Sequence, residues 1–208
     1  MTPWLDQRSA RPWQILLVVL TLLTAVRFLA ASFATPFTIQ DDARQFLSWM
    51  ARLRDPGAMP GDLIADYFQS VSPPLFRGVY ALFATLGMTP PTASKLLVPL
   101  LLLASAIAAW RLASAVAPRP AATFIVAACI MLVIVHNDSL FSATPRAFLD
   151  PLFLIFLDGL IRDRRLQTLI ALALLAAIYP APSLVALTVL GLSCIRWRPT
   201  GSSSLTSA

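Results

Sequence analysis

Charged residues are scarce in this 208-residue chain, since they make up only 12% of it and glutamate does not occur at all. A soluble domain carries about 25% charged and about 45–50% apolar residues, whereas this chain is 58% apolar. Such a composition excludes a disordered or fibrous protein. The 16 cations give a net charge of +6, but they are scattered between apolar runs. No basic patch forms, so we expect no nucleic-acid partner.

Cysteine, histidine and glycine are also rare, with two, one and seven residues. Both cysteines lie inside apolar runs, and no Cys/His spacing typical of a metal site occurs. The sequence has neither a glycine-rich phosphate loop nor a G-x-S-x-G nucleophile motif. It therefore predicts no metal-ligating residues and identifies no cofactor, although a divalent metal ion stays open as an alternative.

Long apolar runs are abundant, and a helix of about 20 such residues is long enough to cross a bilayer. The runs cover residues 13–34, 93–116, 121–135, 146–161 and 166–195. The last run is too long for one ordinary span, and two prolines in Tyr179–Pro182 divide it, because proline removes backbone donors. One kinked helix over 166–195 is the alternative. We predict an all-α polytopic membrane protein with about six transmembrane helices.

Arginine distribution orients these spans. Cations stand before the first span, after the second, after the fourth and after the last, as Arg8, Arg11, Arg111, Arg119, Arg162, Arg164, Arg165, Arg196 and Arg198. The positive-inside rule places these links and the N-terminus in the cytoplasm. The loop 35–92, the link 136–145 and the Tyr179 turn then share the extracytoplasmic face. This is typical of a protein of the bacterial inner membrane.

The chain divides into a membrane domain over residues 1–198 and a disordered Ser/Thr-rich tail over residues 199–208. Its first apolar run is long enough for an uncleaved anchor. That run also resembles a signal peptide, with Ser32 and Ala34 as small residues at a cleavage point. The segment that follows emerges outside in both cases.

Two adjacent acids, Asp41 and Asp42, follow the first span on the predicted outer face. Neighbouring carboxylates repel each other, which favours one of them as a proton acceptor, that is, a general base. The alternative is that one of them caps an amphipathic interfacial helix running to Arg54. Both interpretations can hold, one for each aspartate.

Arg146 stands at the start of the fourth span, where its planar guanidinium suits a phosphate at the headgroup level. The alternative is a helical i,i+4 ion pair with Asp150. Arg44 and His136 are further candidate substrate-binding residues on the same face, although a histidine at a helix end is more often a cap.

Several short motifs resemble those of GT-C-type integral membrane glycosyltransferases. They are FTIQDDARQF over residues 37–46, GDLIADYF over residues 61–68, SPPLF over residues 72–76, TPRAF over residues 144–148 and the Tyr179-Pro180 break. The resemblance implies inverting transfer of a sugar from a polyprenyl-phosphate donor, with Asp41 or Asp42 as the general base. It also implies that Arg146 contacts the donor phosphate. The expected partners are the lipid-linked donor and membrane lipid.

Members of that family have more spans than this chain, so we expect it to be an N-terminal portion, with a truncated, inactive form as one interpretation of the function. A second polypeptide would then supply further helices. The competing hypothesis is a non-enzymatic polytopic membrane protein, either a transporter or an assembly partner. A transporter should carry ionisable groups near the midplane and an inverted repeat, whereas the charges here lie near the ends of the spans.

Overall fold

The computed structural model describes residues 9–35 and 38–194, and most of them are helical. Those residues form ten α-helices and two 3-10 segments, Ser48–Leu53 and Pro145–Phe148, with no strand among them. The α-helices are α1 (Arg11–Phe33), α2 (Asp41–Leu47), α3 (Leu63–Val71), α4 (Pro74–Thr85), α5 (Pro90–Val116), α6 (Pro120–His136), α7 (Asp138–Phe141), α8 (Leu149–Ile161), α9 (Arg165–Ile178) and α10 (Pro180–Ser193). The predicted all-α class is confirmed. The predicted tail at 199–208 lies outside the described residues, as do Arg8, Arg196 and Arg198.

Prolines determine where several helices begin. Pro90, Pro120 and Pro180 each occupy the first helical position of α5, α6 or α10, where the missing N–H costs nothing because it would be unpaired anyway. At the last of these, Tyr179 is extended (φ −142°, ψ 86°) and separates α9 from α10. The two-helix prediction for residues 166–195 is therefore confirmed, and the alternative of one kinked helix is wrong.

Two of the described helices, α1 with 23 residues and α5 with 27, are long and apolar enough to span a membrane. The other predicted spans contain shorter helices: α6 has 17 residues, α8 has 13, and α9 and α10 have 14 each. At 1.5 Å per residue these are about 20–26 Å long, less than the ~30 Å hydrocarbon core. Membrane-spanning length is thus found in two helices rather than six.

Helix α5 lies at the centre of the fold and packs against α1, α6 and α8. Small side chains at its contact surface, such as Ala106, Ala109 and Ala113, are almost completely buried. Helices α8 and α9 approach closely at Gly159, where an added Cβ would lie 2.7 Å from Thr168 Oγ1 and 3.0 Å from the Thr168 nitrogen. Glycine is required there because any side chain would separate the two helices.

A cluster of ionic groups joins α5, α8 and α9 at one end of the bundle. The side chain of Asp158 is 1% exposed. Its Oδ2 accepts hydrogen bonds from Arg111 Nε and Nη2 (3.1 and 2.8 Å) and from Gln167 Nε2 (2.9 Å). Its Oδ1 accepts one from Arg162 Nε at 2.6 Å. Every acceptor of this buried carboxylate therefore has a partner.

The helix predicted to start at Asp41 or Asp42 is present, but in two pieces. Helix α2 ends at Leu47 and continues as the 3-10 segment Ser48–Leu53. Its N-cap is Gln40, whose Oε1 accepts the Ala43 N–H at 3.0 Å. Capping by Asp41 or Asp42 is therefore wrong: both aspartates already belong to the first helical turn, where the helix dipole still favours negative charge.

Arg52 organises the chain between α2 and α3. Its guanidinium donates to the Ala58 and Met59 carbonyls at 3.0 and 2.7 Å. It also donates to Asp66 Oδ1 at 2.7 Å and to Gln69 Oε1 at 2.6 Å. These four bonds attach the turn before α3, and α3 itself, to the 3-10 segment.

Candidate functional site

The three segments predicted to share one face meet at the end of the bundle opposite the Asp158 cluster. Arg146 Nη1 donates to Asp42 Oδ2 at 3.2 Å, across 104 residues of sequence. Tyr179, from the turn between α9 and α10, lines the same cavity as Arg146. About half of the Arg146 side chain and a third of the Asp42 side chain are exposed. The pair is thus formed but open to a ligand.

Arg146 does not form the alternative ion pair with Asp150. Residues Pro145–Phe148 are a 3-10 segment and α8 begins only at Leu149, so the α-helical i,i+4 geometry does not extend back to Arg146. The guanidinium instead contacts Asp42. Through this hydrogen bond and its charge, Asp42 raises the pKa of Arg146, and Tyr179 contributes in the same direction. Arg146 is therefore a permanent cation at the junction of three segments.

A cavity of about 500 Å³ opens beside this pair. Its walls are mainly aromatic and proline side chains: Phe46, Phe68, Pro73, Phe76, Pro145, Tyr179 and Pro180. The rings of Phe46 and Phe68 lie 4.7 Å apart, which joins α2 to α3. A volume of this size and an apolar lining with one charged group are typical of small-molecule sites. Sequence reasoning missed the aromatic walls, although all three phenylalanines lie in the loop it had placed outside.

The link before Arg146 is held by a buried hydrogen bond. Tyr80 Oη donates to the Ala143 carbonyl at 2.9 Å, and burial raises the pKa of Tyr80, so the phenol remains a neutral donor. Ala143 is buried with φ +51°, a left-handed conformation that is uncommon outside glycine. Next to it, the hydroxyls of Ser142 and Thr144 are 2.8 Å apart. Helix α4 thereby fixes the position of the residues that precede Arg146.

The other candidate residues lie apart from this pair. Asp41 is exposed and forms no ion pair among the described residues. His136 Nδ1 donates to the Leu132 carbonyl of its own helix at 2.9 Å, and His136 does not line the cavity. Arg44 lines a different cavity of about 610 Å³, together with Arg54. The structure therefore unites Asp42 with Arg146 and leaves Asp41, Arg44 and His136 outside the contact.

Within residues 9–35 and 38–194 there is no group of three or more His, Cys, Asp or Glu side chains that could hold a metal ion. What the arrangement offers chemically is one carboxylate, one guanidinium, one phenol and an apolar wall. Comparison of the chain with protein-family models, with curated proteins and with solved structures gave no match. A functional assignment therefore depends on this geometry and on the sequence resemblance.

Proposed function

We propose that this protein is a membrane glycosyltransferase of the GT-C type, which transfers a sugar from a polyprenyl-phosphate donor to a hydroxyl at the extracytoplasmic face. The observation that carries the proposal is the contact of Asp42 with Arg146, an arginine that lines an aromatic cavity. A carboxylate supplies the base and a guanidinium supplies the phosphate contact. The apolar walls suit the prenyl chain.

Exposed apolar side chains support a membrane location. Ile15, Leu23 and Val26 of α1 are each about 60% exposed, Val133 of α6 is 71% exposed, and Leu184 of α10 is 67% exposed. Large contiguous apolar surfaces of this kind face lipid or a partner rather than water. The ionic groups of the bundle lie at its two ends, as hydrocarbon requires.

Donor binding begins with exchange of one anion for another on Arg146. An exposed ion pair is worth only about 0.2–1 kcal/mol, so a donor phosphate can displace Asp42 from the guanidinium at little cost. The planar guanidinium can then donate two parallel hydrogen bonds to phosphate oxygens. The first prenyl units occupy the space between Phe46, Phe68 and Phe76.

Transfer then follows at the anomeric carbon. Asp42, released from Arg146, accepts the proton of the acceptor hydroxyl. The hydroxyl oxygen forms the new bond to the anomeric carbon while the bond from that carbon to the phosphate oxygen breaks. The polyprenyl phosphate leaves with the electron pair, and Arg146 stabilises its charge. Attack opposite the leaving group inverts the configuration. Asp41, on the same helical turn, is the other candidate base.

The first experiment uses the full chain in phospholipid nanodiscs and a panel of polyprenyl-phosphate sugars. We expect Asp42→Asn to lower the transfer rate about 10²–10⁴-fold, the scale of a lost general base. Asp41→Asn should retain activity, and Asp138→Asn, an exposed acid on the same predicted face, is the matched control. If Asp41→Asn alone abolishes transfer, the base is Asp41. Full activity in both variants would exclude the proposed chemistry.

A second experiment measures donor binding without turnover. Farnesyl phosphate should bind the purified chain more tightly than farnesol, and Arg146→Ala should remove that difference. Arg146→Lys should restore only part of it, because an ammonium lacks the planar double donor. Equal affinity for the phosphate and the alcohol would assign the cavity to an apolar ligand and favour the non-enzymatic alternative.

A further inference from the structure

A second cavity, behind the Tyr179 turn, contains one carboxyl group and otherwise apolar side chains. It has a volume of about 460 Å³ and lies between α6, α8 and α10. Among the described residues, Asp150 of α8 is its only ionisable lining residue, and the walls include Ile130, Val133, Phe153, Pro182 and Val185. Asp150 forms no hydrogen bond or ion pair with any of the residues that the structure describes.

Partial burial without an arginine partner distinguishes Asp150 from Asp41 and Asp138, which are exposed, and from the aspartates that pair with arginine. Asp42, Asp66 and Asp158 each contact an arginine. Arg146, the cation nearest to Asp150 in sequence, contacts Asp42 instead. A carboxylate among apolar groups is costly unless a cation or a hydrogen-bond donor compensates it. A ligand with a cationic head would supply the compensation that none of the described residues gives Asp150.

The shape of the cavity indicates a ligand with an apolar chain. Ile130, Val133 and Ile134 follow the i, i+3, i+4 spacing of one helical face, and they form one wall. Val133 and Val185 are 71% and 57% exposed, so the cavity opens to the outside of the bundle between α6 and α10. The volume is in the range of small-molecule sites.

Asp150 lies in the first turn of α8 and lines the groove together with Pro182 of the first turn of α10. We propose that the groove binds a long-chain primary amine. Its protonated amine contacts the Asp150 carboxylate, and its aliphatic chain lies along α6 and α10. The site is separate from the Asp42–Arg146 pair, although the Tyr179–Pro182 turn borders both cavities, and it does not depend on glycosyl transfer.

The test uses the full chain in phosphatidylcholine nanodiscs and a photoreactive alkylamine with a diazirine in its chain. The matched probe is the same molecule with a hydroxyl in place of the amine. We expect the amine to label peptides of α6 and α10 at least tenfold more than the alcohol does. Dodecylamine should compete with this labelling, and dodecanol should not.

Variants then assign the contact. Asp150→Asn should lower labelling by the amine at least tenfold and leave labelling by the alcohol unchanged, which also shows that the groove is still folded. Asp150→Glu should retain most of the amine labelling, and Asp138→Asn should retain all of it. Equal labelling by amine and alcohol, or undiminished labelling of Asp150→Asn, would overturn the proposal. Protection of the groove by a co-purifying polypeptide would overturn it in favour of a helix partner.

Discussion

Replacing Asp158 by alanine should be among the most destabilising single changes in the protein. The carboxylate is buried and accepts hydrogen bonds from two arginines and from Gln167. Its removal leaves two guanidinium groups close together without an anion. Breaking a buried pair costs about 3–5 kcal/mol. Because the side chains of Arg111 and Arg162 are 43% and 31% exposed, they can recover some hydration, so we expect a value near the lower end, about 3 kcal/mol.

The assay is denaturant unfolding of the full chain in detergent micelles, followed by helical circular dichroism. Asp163→Asn is the control, because Asp163 lies 3.8 Å from Arg165 with both side chains almost fully exposed, and asparagine tolerates the positive φ of 53° at this position. Such surface pairs contribute about 0–1 kcal/mol. If Asp158→Ala and Asp163→Asn change the free energy of unfolding by the same amount, the cluster does not hold the three helices together.

A compensating variant tests the physical cause of this cost. The double variant Asp158→Leu with Arg111→Met removes the buried anion together with the arginine that makes two hydrogen bonds to it. Apolar replacements of buried ion pairs are often neutral or stabilising. The double variant should therefore be more stable than Asp158→Leu alone by at least 1 kcal/mol on that scale. No recovery would mean that lost packing, rather than unpaired charge, determines the effect.

Further substitutions test the helix packing, the Tyr80 hydrogen bond and the topology. Gly159→Ala should destabilise the fold by about 1–3 kcal/mol, since the new methyl would overlap Thr168, and unfolding measurements in micelles check this. Tyr80→Phe should lower the free energy of unfolding by about 1–3 kcal/mol, because it leaves the buried Ala143 carbonyl unpaired. The pKa of Tyr80 is raised in the folded protein. The stability of the wild type should therefore be retained below the unfolded-state pKa of about 10 and decline above it. The stability of Tyr80→Phe should decline less over the same pH range. With both native cysteines replaced, an impermeant thiol reagent on intact cells should label Ser70→Cys and spare Arg164→Cys; the opposite pattern would invert the topology.

Local signals in the sequence were enough to predict most helix positions. Prolines begin α5, α6 and α10, and Tyr179 separates α9 from α10, as the two-proline break indicates. The distribution of arginines among the links also predicts that the loop 35–92, the link 136–145 and the Tyr179 turn lie on the same side. These three segments do meet around Arg146. These features depend on residues close together in sequence or on a simple count of charge.

Contacts between distant residues could not be predicted in this way. Asp42 and Arg146 are 104 residues apart, and the sequence offered Asp150 as an equally reasonable partner for Arg146. The 3-10 segment before α8 decides between them, and four residues give no periodic signal for it. The N-cap of α2 could not be predicted for the same reason. Gln40 stands next to Asp41 and Asp42, and aspartate is preferred to glutamine at helix N-caps.

The pairs Arg111–Asp158 and Asp42–Arg146 differ in which charge is synthesised first. Arg111 precedes Asp158 by 47 residues, so the cation is already made when the ribosome adds the carboxylate that will be buried. Asp42, in contrast, precedes Arg146 by 104 residues. At a synthesis rate of about 5–20 residues per second, Asp42 is in the chain roughly 5–20 s before Arg146 is added. Because Asp42 is partly exposed, water can solvate its carboxylate during that time. The cavity lined by Arg146 is completed later still, when Tyr179 has left the ribosome. A nascent chain that ends before Tyr179 therefore lacks part of the site.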